Sequence, residues 1–138
     1  MTNSIKPPSW YWVISILALA WNAMGIKAYL DQVNNAESFQ AATSPEQLAA
    51  LAETPSWAIG AFATAVFAGG LGSLLLLVRK RLAYVILSIS FLAVLIQMGY
   101  LVMNPVPDAN YSMTAAIILV SLFLVWFAKK SSHKGWLN

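Results

Sequence analysis

Asn22 and Gln97 are neutral amides set inside long apolar runs, "WNAMGIKAYLDQV" and "ISFLAVLIQ". Two tyrosines, Tyr29 and Tyr100, stand near them, and Lys27 is a cation in the first run. These groups can hold a small solute by hydrogen bonds. They do not form a nucleophile–base pair, and no cluster of metal ligands is visible. The chemistry to expect is binding rather than catalysis, so no enzyme, metal or cofactor is implied.

Composition sets the medium in which they work. Of 138 residues, 59% are hydrophobic and 9% charged, against about 25% charged in a soluble domain. Mean hydropathy is +0.68. The chain reads as an integral membrane protein whose first partner is the lipid bilayer. The net charge of +3 does not point to nucleic acid, because the basic residues flank apolar segments. There is no cysteine, which excludes disulfides, thiolate metal sites and quinone-linked thiol chemistry. The single histidine, His133, lies in a polar tail, which excludes a haem held by histidines within the bilayer.

A hydrocarbon core about 30 Å thick needs about 20 apolar residues of helix. Residues 10–30, 57–78, 82–103 and 111–128 qualify. Backbone facing lipid must satisfy its own hydrogen bonds, so each span should be helical. The first run is too long for a cleaved signal peptide, and no small-residue cleavage pattern follows it. The expectation is one all-α domain over residues 1–138, a transmembrane four-helix bundle. Lys6, Arg79–Arg81, Lys129, Lys130 and Lys134 all fall on one side of this arrangement, whereas all five acids fall in the other two loops. Positive loops stay cytoplasmic, which places both termini inside. Trp10, Tyr11 and Trp12 should mark the inner interface, Trp57 and Tyr111 the outer one.

Within the first outer loop, "SPEQLAALAE" predicts a short helix. Ser44 is its N-cap, Pro45 suits the first helical position and Gln47 completes a capping box. It reads as a lid, either packed on the bundle ends or gating a solute. "NPVPDAN" predicts a tight outer turn.

The second span carries two rows of small residues at spacing four, Ala61–Ala65–Gly69–Ser73 and Gly60–Thr64–Ala68–Gly72. Such rows let helix backbones approach closely in lipid, within the bundle or against another subunit. "ISILALAWN" (14–22) also aligns with "ISFLAVLIQ" (89–97), placing Asn22 on Gln97. The match suggests two parallel helical hairpins related by an axis along the membrane normal, although apolar segments also match by chance.

At 100° per residue, Ser15, Ala18, Asn22, Gly25 and Tyr29 share one face, as do Ser90, Ala93, Gln97, Tyr100 and Asn104. Two readings stay open for the amides. They can form interhelical hydrogen bonds worth about 0.6–2 kcal/mol each. With Tyr29 and Tyr100 they can instead line a polar pocket open outward. Lys27 sits roughly 140° around the helix from Asn22. It either pairs with Asp31 at the interface or meets a neighbouring helix, subunit or anionic solute. No acidic residue lies within a span, so a carboxylate proton relay lacks its key group.

The combination "PSWYW…LAWNAMGIKAYL", "PSWAIGAFATAVFAGGLGSLLLLVRKR" and "QMGY" resembles a family of small four-span bacterial inner-membrane proteins often called sugar transporters. The resemblance implies a bacterial inner-membrane setting and carries no known binding or catalytic residues. Two functions compete. One is an oligomeric carrier or channel for a small solute. The other is an accessory or assembly subunit of a larger membrane complex.

Overall fold

The computed structural model describes residues 6–34, 37–104 and 111–137, and for Tyr111 the backbone alone. It is all-helical in these residues: α1 Ser9–Val33, α2 Glu37–Ala42, α3 Pro45–Ala52, α4 Ser56–Leu77, α5 Leu82–Met103 and α6 Tyr111–His133. Four of them, α1, α4, α5 and α6, are long and apolar enough to cross a membrane. Leu17 and Leu119 are 63% and 64% exposed on the bundle surface. Apolar surface on this scale belongs in lipid, and the chain is a multi-pass membrane protein.

Local sequence sets the helix ends. Pro8 and Pro55 hold extended φ/ψ just before α1 and α4, the conformation an N-cap requires. Ser44 caps α3 by accepting from the Gln47 N–H at 3.2 Å, with Pro45 in the first turn. The α4–α5 link is short and basic. Arg79 there has φ 59, the left-handed region that non-glycine residues seldom adopt. The Arg79 N–H donates to the Leu76 carbonyl and the Lys80 N–H to that of Leu75, which is the Schellman closure. α6 ends the same way at Gly135, with φ 78.

α4 packs on both α1 and α5, and α6 packs on α5. All the basic loops meet at one end, the basic end. The chain is tightly closed there. Tyr11 is fully buried and donates its hydroxyl to the Leu76 carbonyl. Its ring lies 5.4 Å from Phe127 and 5.8 Å from Trp136. Trp136 and Leu137 fold back into this core, held by Arg79 Nε donating to the Trp136 carbonyl at 2.8 Å and Arg81 Nε to that of Leu137 at 3.3 Å.

Several expectations need correction. Tyr11 is a core residue, not an interface marker, because its hydroxyl reaches a helix-end carbonyl. α6 continues five residues beyond Ala128, through Lys129 and Lys130, to His133. α2 was not expected. The turn residues 105–110, with Asp108, lie outside the described residues. The repeat is also asymmetric. An axis relating α1 to α5 and α4 to α6 would require α6 to approach α1 as closely as α4 approaches α5, whereas α1 and α6 meet through side chains at the basic end without an extended backbone approach. α4 offers Gly and Ser to its neighbours, whereas α6 offers Ile117, Val120 and Leu124, whose bulk keeps backbones apart.

Candidate functional site

Toward the other end, where Asp31, Glu46 and Glu53 lie, the helices enclose a cavity of about 510 Å³. This falls in the usual range for small-molecule sites, roughly 300–1,000 Å³. All four membrane-length helices line it, as does α3. No Lys, Arg, His, Asp or Glu is among the lining residues described.

α1 contributes Trp21, Asn22, Gly25 and Gln32. Asn22 reaches across to α4. Its Nδ2 donates to the Ala18 carbonyl at 2.9 Å and to the Ser73 hydroxyl at 3.2 Å. Ser73 in turn donates to the Gly69 carbonyl at 2.8 Å. This approach depends on glycine at 69. A Cβ there would collide with Asn22 Oδ1 and lie 2.8 Å from Asn22 Cγ.

α4 contributes Ala58, Phe62 and Ala65. Of its two small-residue rows, Ala61, Ala65, Gly69 and Ser73 are all buried in the bundle. The second row splits. Gly72 is buried, and a Cβ on it would lie 2.6 Å from Leu87. Gly60 and Thr64 are exposed, and nothing lies within 4 Å of where a Gly60 Cβ would be.

α5 contributes Ser90, Val94, Gln97 and Tyr100. Ser90 donates to the Ala65 carbonyl at 2.6 Å, a direct α5–α4 tie. Tyr100 packs edge-on against Trp57 at 5.4 Å. Gln97 is half-buried and makes no hydrogen bond among the described residues. An amide carries two donors and a carbonyl acceptor, so Gln97 brings unused hydrogen-bonding capacity to an apolar wall.

α6 adds Thr114, Ile117 and Ser121, α3 adds Leu51, and the link after α3 adds Thr54. Leu51 and Thr54 also border a second space of about 470 Å³ beneath α2. The short loop helix thus forms a wall across the cavity end, as a lid would.

The structure divides the candidate residues. Asn22, Gln97 and Tyr100 line one cavity. Asn22 is bonded to Ser73, and among the described residues no hydrogen bond joins it to Gln97. Tyr29 shares the Asn22 face but does not line the cavity. Its ring is packed edge-on against Phe62 at 5.4 Å and Phe67 at 5.8 Å. Lys27 is exposed and pairs with Asp31 at 2.7 Å, the interfacial alternative. Ser121 and Thr114 were not singled out from the sequence. Their spacing of seven on α6 puts them on one face, a signal that two isolated hydroxyls make weak.

No family model, curated protein or solved structure matches this chain.

Proposed function

We propose that this chain binds a small solute in the cavity between its four spans and acts as a carrier for it. The observation that supports this best is the cavity itself. Every membrane-length helix contributes to it, and it presents the Gln97 amide, unpaired among the described residues. The basic end is filled by Tyr11, Leu76, Phe127 and Trp136, so this conformation offers access from one direction and no through-pore. A blocked basic end fits a carrier better than an open channel. The charge distribution supports both termini in the cytoplasm, with the cavity on the far side of a bacterial inner membrane, the setting that the family resemblance also implies.

The accessory-subunit reading has its own observation. Gly60 and Gly99 leave open space on lipid-facing surface, where a second copy or another membrane protein could approach closely.

Purification in mild detergent followed by mass spectrometry of what heat releases tests the proposal. Wild-type protein should release a small molecule that the cavity-filling variant Ala28→Trp does not carry. Release of nothing from either, with a stoichiometric partner polypeptide in both preparations, would favour the accessory reading.

A further inference from the structure

We infer that the solute is an uncharged, lipid-dissolved amphiphile that enters sideways between α1 and α6, its polar head on Gln97 and its apolar body along the seam. This rests on the binding reading above and narrows it to one chemical class.

The wall decides the charge. Among the described residues no ionised side chain lines the cavity, and Lys27 is already paired with Asp31 outside it. A charge moved into apolar surroundings without a partner is strongly unfavourable. An anionic or cationic solute therefore meets no opposite charge among the described lining residues.

The wall also limits polarity. Both Asn22 donors are engaged, by Ala18 and Ser73. The Ser90 hydroxyl donates to Ala65 and the Ser121 hydroxyl to Ile117. The Gln97 amide remains uncommitted among the described residues; Gln32 and Tyr100, which also make no side-chain hydrogen bond there, stand in the last turns of α1 and α5, and Trp21 offers a single N–H. A polyhydroxylated solute such as a sugar would bury many hydroxyls against few partners, each unmet one at a cost. One ketone, ester or hydroxyl head suits the site, with carbon for the rest.

The seam gives the route. α1 packs on α4 and α6 on α5, with no extended contact between α1 and α6. They converge at the basic end, where Tyr11 meets Phe127. Above that, Met24 on α1 is 69% exposed and Met113 on α6 is 48% exposed, yet both line the cavity. The cavity wall thus runs out onto the lipid-facing surface. Methionine side chains are flexible and adapt to irregular apolar partners, which suits a chain-bearing ligand. Leu51 of α3 and Thr54 just after it lie across the water-facing end.

Photolabelling in phosphatidylcholine nanodiscs tests this, using dodecanol carrying a chain diazirine, its carboxylate and trimethylammonium analogues, and radiolabelled glucose in parallel equilibrium dialysis. The alcohol should label α1 and α6 peptides around Met24 and Met113. Loss of the Gln97 hydrogen bond in Gln97→Leu should cut labelling about fivefold. Ile117→Trp, or Ala28→Trp should the first not fold, should cut it about tenfold or more by filling the space. The charged analogues should label about tenfold less than the alcohol. Labelling by the alcohol that neither filling variant lowers would mark ordinary annular lipid and overturn the inference. So would charged analogues labelling as well as the alcohol. Saturable glucose binding that a filling variant abolishes would also overturn it, while leaving the cavity as a solute site. Binding of none of the probes above the filled variants would remove the cavity reading as well.

Discussion

The Asn22 amide nitrogen lies 3.2 Å from the Ser73 hydroxyl, and this bond joins α1 to α4 where Gly69 leaves no side chain between them. It places a polar group deep in two apolar helices at low cost, because the amide's N–H groups both have acceptors. Asn22→Leu and Ser73→Ala should each destabilise the bundle by about 0.6–2 kcal/mol, and the double variant by less than the sum. Asn22→Leu combined with Gln97→Leu should instead be additive, since those two amides do not bond. Unfolding in mixed micelles measures both cycles. Additivity in the first would mean that the Asn22–Ser73 bond contributes nothing.

The glycines of α4 and α5 separate by surroundings. Gly69→Ala and Gly72→Ala should each cost about 1–3 kcal/mol, the range for overpacking a filled interior. Gly60→Ala and Gly99→Ala meet nothing within 4 Å and should be neutral or stabilising by up to about 1 kcal/mol from helix propensity alone. A loss of stability at Gly60 or Gly99 together with a smaller particle in detergent would reveal an interface there.

Arg79 inverts the usual ranking of alanine over glycine. At φ 59, Arg79→Ala keeps the left-handed strain and loses the bond to the Trp136 carbonyl. Arg79→Gly loses the same bond but relieves the strain. The glycine variant should be the more stable of the two by about 1 kcal/mol. Equal melting temperatures would show that the link relaxes out of this conformation.

Cysteine labelling of the cysteine-free chain reads the orientation. A cysteine at Lys80 should react only after the membrane is permeabilised, and one at Glu46 in intact cells. Labelling of position 80 from outside would reverse the assignment of the basic end.

The helices were legible because a bilayer demands length and apolarity, and residues 57–78 and 82–103 supply both with little else. The Ser44 cap and the Lys27–Asp31 pair were legible because each is decided within a single turn of helix. Partner choice was not. A helical wheel puts Asn22 and Tyr29 on one face, but α4 meets that face with Ser73 at one level and with Phe62 and Phe67 at another. The same wheel says nothing of which neighbour Gln97 faces. The positive φ of Arg79 is carried by a residue type that rarely adopts it, and the Trp136 hook depends on two arginines distant in sequence.

The sharpest test compares Gln97→Leu with Asn22→Leu in one preparation, measuring melting temperature and co-purified solute together. Asn22 is a tie between helices and Gln97 an uncommitted amide in the cavity. Asn22→Leu should therefore lower the melting temperature, whereas Gln97→Leu should leave it unchanged or raised and lose most of the bound solute. A Gln97→Leu protein that melts as early as Asn22→Leu while retaining its solute would contradict the account.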